Sequence, residues 1–193
     1  RTYTLDAAEI PGGRGDGVPV GSLVELQNGA EVAAMISGLP EQHYLLSNSG
    51  GYGFIAKLAD MVGRVKAGKV MISLEAGEKV LPPQAVFTVS LINPDCKVVL
   101  ASSANRLLAF ALGELKVMAK GRGLQLMNLG EDEKLAHIAV VSTPEFMVES
   151  VGKRGAARCE RLRIQDIENK RGRKGRLLEI SGRLKAIGGT DAE

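Results

Sequence analysis

Tryptophan is absent from this sequence, and three tyrosines and four phenylalanines are its whole aromatic complement. Single strands of nucleic acid are held by stacking bases on such rings, so this scarcity argues against that class of ligand. Histidine occurs only at His43 and His137, with no second ligand at usable spacing, which disfavours a zinc centre or a histidine base. The two cysteines, Cys96 and Cys159, make neither a disulfide framework nor a metal site. They read as reduced, buried or half-buried thiols of a cytoplasmic protein. No apolar run reaches about 18 residues, so no membrane-spanning helix is expected. A charged-then-apolar leader is also missing.

Catalytic motifs are equally scarce. Ser22, Ser73 and Ser181 lie outside any Gly-x-Ser-x-Gly setting, and Gly51-Tyr52-Gly53 is not followed by the Lys-Ser/Thr of a phosphate loop. Glu131-Asp132-Glu133 reads as a solvated acidic turn. The expectation is a non-catalytic chain without a cofactor.

What is present is glycine, 24 residues of it in 193, interleaved with cations. The densest stretch runs Asn169-Lys170-Arg171-Gly172-Arg173-Lys174-Gly175-Arg176. Glycine permits a close backbone approach, and the cations give the loop affinity for phosphate. The pattern recurs. Gly17, Gly68, Gly123 and Gly175 stand 51, 55 and 52 residues apart. Each is preceded eight or nine residues earlier by an acid beside an apolar residue: Glu9-Ile10, Asp60-Met61, Glu114-Leu115, Asp166-Ile167. Each is followed by a short apolar segment. A unit of about 50 residues is the size of one propeller-type blade. The repeats fall at about 1–42, 43–90, 91–142 and 143–189, forming one domain over 1–189, with 190–193 as a loose tail.

Within the repeats, strands are expected at Thr2 to Leu5, in two apolar segments, Val18 to Leu26 and Glu31 to Ser37, about an Asn28-Gly29 hairpin turn, and on either side of Ser49-Gly50-Gly51. Further strands follow at Val70 to Leu74, Lys97 to Leu100 and Phe146 to Val148. Pro82-Pro83 marks a bulge or strand exit. Leu107 to Met118 and Arg161 to Glu168 read as strands by register, with a helix of one or two turns as the alternative. The opening residues alternate like a strand already under way, as in a piece of a longer polypeptide.

Charge is segregated. Residues 151–189 carry twelve Lys/Arg against four Asp/Glu, a net of +8, and the remainder nets −5, giving +3 in all. Such a basic end points to a polyanionic partner. Because equivalent loops of a blade array share one rim, the expected contacts are Arg14, Arg64, Lys66, Lys69, Lys120, Arg122, Lys153, Arg154, Lys170, Arg171, Arg173, Lys174 and Arg176. Duplex DNA, held by its phosphates, is the favoured ligand. A protein-interaction propeller with an acidic partner is the alternative.

The loops Pro11 to Gly17, Ser49 to Phe54 with Arg64 to Lys69, and Arg171 to Gly175 resemble the C-terminal domain of the A-type chain of bacterial type II topoisomerases, the gyrase and topoisomerase IV family. The resemblance spans essentially the whole chain. It implies an all-β pinwheel, a propeller-like disc of four-stranded blades that exchange strands and bend DNA on the rim, here incomplete at the N-terminus by about one blade. Gyrase carries a Gln-(Arg/Lys)-Arg-Gly-Gly-(Arg/Lys)-Gly box in its first blade. Asn169 to Gly175 departs from it at Asn169 and Arg173 and lies in the last repeat, so the topoisomerase IV side fits better and a gyrase wrapping domain is the alternative. The resemblance further implies a bacterial cytoplasmic, nucleoid-associated setting. The partners would be duplex DNA, the rest of the A-type chain and a B-type ATPase chain in a heterotetramer, which performs decatenation and relaxation. No small-molecule substrate and no integral membrane contact are implied.

Overall fold

The computed structural model describes residues 1–10, 12–13, 15–87, 90–91, 93–152, 154–180 and 182–189. Pro11, Arg14, Lys153, Ser181 and the tail 190–193, all named above, lie outside the described residues.

Three antiparallel sheets stand one after another along the chain. The first is built on the hairpin β1 (His43–Ser47) and β2 (Tyr52–Lys57), with β3 (Gln84–Val86) returning beside β1. The second repeats the plan with β4 (Lys97–Ser102) and β5 (Arg106–Ala111). After the two-residue β6 (Leu124–Gln125), β7 (Leu135–Val141) returns beside β4. The third has β8 (Glu145–Gly152) and β9 (Ala157–Arg163); then comes the short β10 (Arg176–Leu177), and β11 (Gly182–Gly189) returns beside β8.

The short strands exchange between blades. β6 leaves its own repeat to pair with β2, Gly53 opposite Leu124, and β10 does the same to β5, Leu107 opposite Arg176. The first two blades are thus each completed by the repeat after them, the defining feature of a pinwheel, while the third sheet keeps three strands of its own repeat.

The acid that precedes each anchor glycine sits in a single helical turn. These turns are Ala7–Glu9, Leu58–Met61, Leu112–Glu114 and Ile164–Asp166. Both stretches left open between strand and helix resolve the same way, as a strand ending in one turn of helix. The turn reverses the chain so that it can cross to the neighbouring blade.

Alternation along the strands sets the blades face to face. From the middle sheet, Val98, Leu100, Leu108 and Phe110 pack towards Leu45 and Ile55 of the first. The alternate residues Val99, Ala101, Leu107 and Ala109 pack towards Phe146, Val148, Ile164 and Leu184 of the third. A sheet covered on both sides needs an unbroken apolar run. Val98 to Ala101 and Leu107 to Phe110 are such runs, and all are fully buried. β9, by contrast, is exposed at every residue but Leu162.

The expected strands of residues 1–42 are not formed. Among the described residues this segment holds two helical turns and one isolated bridge, Thr2 to Lys69. Asn28-Gly29 does turn, with Gly29 at φ 76° and the Ala30 N–H donating to the Gln27 carbonyl at 2.9 Å. The flanking segments find no sheet to join among the described residues, and Val18, Val32, Met35 and Ile36 stay exposed. A lone hairpin is marginal in water, so turn chemistry and apolar content did not suffice. Val70 to Leu74 likewise forms only the bridge from Ile72 to Gly121. Pro82-Pro83 ends one extended stretch and β3 begins at the next residue, as expected of a strand break.

Candidate nucleic-acid interface

The four anchor glycines all have positive φ: 72° at Gly17, 75° at Gly68, 84° at Gly123 and 78° at Gly175. Three of them seat against the same place in the preceding repeat. Gly123 packs on the Gly53 carbonyl and Gly175 on the Leu107 carbonyl, at the start of β2 and β5 respectively. Gly68 packs on the Thr2 carbonyl and the Tyr3 ring. A side chain at any of these glycines would meet backbone, so the loop can dock only with glycine there.

This docking decides where the cations go. β2 and β5 begin directly after the hairpin turns that follow Ser47 and Ser102. The loops Lys120 to Gly123 and Arg173 to Gly175 therefore emerge beside those turns, at the same end of successive blades. The turn between β8 and β9, closed by the Val151–Ala157 pair, holds Arg154 at the corresponding end of the third blade.

The predicted cations divide into two groups. Arg64, Lys66, Lys120, Arg154, Lys170, Arg173 and Lys174 are exposed, and none forms an ion pair among the described residues. The others are engaged. The Lys69 ammonium donates to the Asp60 carbonyl. One Arg171 nitrogen donates to the Gln125 carbonyl, while its backbone N–H donates to Glu114 Oε2 at 3.1 Å. Arg176 remains exposed but donates to the Asp166 carbonyl at 3.1 Å. Arg122 is the most constrained: its guanidinium lies 4.2 Å from the Tyr52 ring centroid and pairs with both Glu75 and Glu78.

An open cleft of about 340 Å³ lies against the last glycine loop, lined by Asp166, Glu168, Asn169, Arg173, Lys174 and Arg176. Its walls mix both signs of charge. Arg158, on the exposed face of β9, adds a further cation with no ion pair among the described residues. Arg161 and Arg163 of the same strand are paired, with Glu145 at 3.6 Å and Asp166 at 3.0 Å. The charge-rich run Arg158 to Arg163 is the signal in the sequence for this exposed strand.

Two expectations for titratable and thiol groups need correction. Glu133 is not solvated: its side chain is 8% exposed, accepts from the Gly130 N–H at 2.9 Å and from the Ser102 hydroxyl, and faces Arg106 Nε at 3.7 Å. The hairpin it braces explains the burial. Cys159 is exposed on β9, while Cys96 is buried and burial pushes its thiol up. His137 is half-buried and hydrogen-bonded to the Leu184 backbone, and burial holds its pKa below the usual 6.5. His43 is buried on β1 with Nδ1 unpartnered among the described residues, and it lies 94 residues of sequence from His137.

An array of hairpin blades in which a glycine-anchored strand from the next repeat completes the one before it, as β6 and β10 do here, is a β-pinwheel. The family described as DNA gyrase C-terminal domain, beta-propeller, matches residues 97–142. The A-type chain of DNA topoisomerase 4 from Neisseria gonorrhoeae is 66% identical over 97% of this chain, and that from Escherichia coli K12 is 30% identical over 97%. Among solved structures, the E. coli ParC C-terminal domain matches 95% of this chain and 74% of its own at 28% identity and a TM-score of 0.82. The chain spans about a quarter, 24% and 25%, of the length of the two curated relatives. The chain belongs to the C-terminal domains of the gyrase and topoisomerase IV A-type chains, on the topoisomerase IV side.

Proposed function

We propose that this domain is the non-catalytic, DNA-holding part of the A-type chain of a topoisomerase IV. It grips duplex DNA by its phosphates and presents it to a strand-passage centre carried elsewhere in the assembly. The observation that carries this reading is the placement of exposed cations at one end of successive blades, ordered by glycines that fit nowhere else. Contacts of this kind read backbone and not base sequence, so binding is expected to be sequence-tolerant and salt-sensitive. The strongest grip falls at the last repeat, where Lys170, Arg173 and Lys174 reach solvent without carboxylate partners among the described residues. Lys120, Arg154, Arg64 and Lys66 extend the track, with Arg176 and Lys69 at its margins. Arg14 and Lys153, outside the described residues, belong to the same loops by sequence. Arg122 and Arg171 act first in the blade seams.

The partners on this reading are duplex DNA, the rest of the A-type chain and the ATP-hydrolysing chain, in the bacterial cytoplasm at the nucleoid. No cofactor is required of this domain.

The test is a duplex-binding series against salt in the full-length protein. Arg173→Ala with Lys174→Ala removes two phosphate contacts and should lower the slope of log K against log salt by about 1.8. An unchanged slope and affinity would remove the last repeat from the interface. Relaxation and decatenation assays on the same variant then report whether that grip feeds the reaction.

A further inference from the structure

Arg122 and Lys174 occupy the same position in successive repeats, directly before the anchor glycines Gly123 and Gly175. Their surroundings differ. In the first blade, Glu78 is held in place by its neighbours: Asn48 Nδ2 donates to its Oε2 at 3.2 Å and the Glu75 N–H donates to the same oxygen at 2.8 Å. Gly50 leaves the room for this carboxylate, since a Cβ there would overlap it. With no cation of its own blade paired to it among the described residues, Glu78 takes Arg122 from the next repeat at 2.8 Å, and Glu75 takes the other terminal nitrogen. Tyr52 closes one face of the guanidinium.

In the second blade the corresponding acid is Glu133, whose Oε2 accepts from Gly130 as that of Glu78 does from Glu75. Here the place of Tyr52 is taken by Arg106, which faces Glu133 at 3.7 Å. The place of Glu75 is taken by Gly130, so that position supplies no second carboxylate. The buried acid is answered within its own blade, and Lys174 forms no ion pair among the described residues.

We propose that Glu75 and Glu78 act as resident phosphate mimics that withhold Arg122 from DNA, so that phosphate binding along the rim is graded towards the last repeat. Carboxylate and phosphate offer an arginine fork the same paired-oxygen geometry, so one can stand in for the other. The two acids are unequal partners. Glu78 is 11% exposed and fixed, whereas Glu75 is 71% exposed and can swing away. Two carboxylates also outweigh one guanidinium, so this loop presents DNA with repulsion where the loop of Lys174 presents attraction. The position before the anchor glycine follows the same gradient in sequence: Asp16, Ala67, Arg122, Lys174.

This inference rests on the DNA-binding reading above. The experiment is a salt series with random-sequence duplex DNA and the full-length protein. Glu75→Gln should tighten binding at low salt by about three- to tenfold and steepen the salt slope by about 0.9, one recovered phosphate contact. Glu131→Gln removes the same charge from the equivalent exposed turn of the next blade and should leave the slope unchanged. Adding Arg122→Lys to Glu75→Gln should keep the gain, because the charge is kept. The clamp is overturned if Glu75→Gln leaves the slope unmoved, or if Glu131→Gln steepens it equally. The Arg173→Ala, Lys174→Ala variant separates the two levels. Should it lower the slope while Glu75→Gln does nothing, DNA binding stands and the clamp falls; should neither act, both fall together.

Discussion

A Cβ on Gly175 would stand 2.6 Å from the carbonyl oxygen of Leu107, a residue 68 positions earlier in the chain and in the neighbouring blade. That contact locks β10 onto β5. Gly175→Ala combines a positive φ of 78° with a backbone overlap that has nowhere to relax. We expect it to cost about 2–3 kcal/mol and to lower Tm by roughly 4–12 °C. Gly77→Ala is the comparison: its φ is 79° but nothing lies within 4 Å of the added carbon. It should cost only about 1 kcal/mol. Equal losses in thermal unfolding would mean that the close approach carries no energy of its own.

Asn105 stitches the second blade to the third. It holds φ 58°, its Nδ2 donates to the Gly182 carbonyl at 2.8 Å, and its Oδ1 accepts from the Leu184 N–H at 3.1 Å. Its own carbonyl accepts from the Leu178 N–H at 2.9 Å. Asn105→Gly relieves the backbone and loses the two side-chain bonds, whereas Asn105→Ala loses those bonds and keeps the strain. Alanine is expected to be the worse by about 1 kcal/mol in urea unfolding, with each variant below the parent. If glycine proved the worse, the left-handed backbone would not be a source of strain here.

His137 of β7 faces β11, hydrogen-bonded to the Leu184 backbone and flanked by Arg183 and Lys185. Burial, the largest influence, disfavours its charged form; the two cations act the same way, and the hydrogen bond partly opposes them. The folded pKa lies below the unfolded 6.5, so its contribution to stability is complete above that value and is lost as pH falls through the folded pKa. The urea midpoint should therefore drop between about pH 7 and about pH 5, and His137→Gln should flatten the drop. An identical pH response in the variant would show that other groups account for it.

The two thiols should separate cleanly. Cys96 is 1% exposed and its thiol is pushed up by burial, although Ser90 and Lys97 pull the other way. Cys159 lies open on β9. An alkylating reagent under native conditions should label one cysteine, and mass spectrometry should place it at Cys159, with Cys96 reacting only after unfolding. Rapid labelling of Cys96 in the folded protein would mean that the packing around it opens readily.

Much of this fold is legible in the residues because the repeat is legible. The spacing of the anchor glycines located the loops, and the acid eight or nine residues before each of them kept the register, although the helical turn it sits in appeared only in the structure. Lys97 to Leu100 was legible as a strand, and the structure shows that the run Val98 to Ala101 is buried on both faces. The first 42 residues misled for a definite reason. Apolar content and an Asn-Gly turn are local signals, but a strand also needs a neighbour, and those segments have none among the described residues. The interface was half legible. Exposed Lys170, Arg173 and Lys174 follow from glycine-rich charge, yet Arg122 carries the same signal and is bound by Glu75 and Glu78.

By itself the sequence determined the period, the turns and the sign of the charge, because these depend on side-chain type and on backbone freedom within a few residues. Which cations are free was decided only in three dimensions. Whether a guanidinium meets water or a carboxylate depends on partners more than forty residues away, such as Glu78 for Arg122, and on which blade supplies the neutralising charge. Coulomb attraction falls with distance in space and takes no account of distance along the chain.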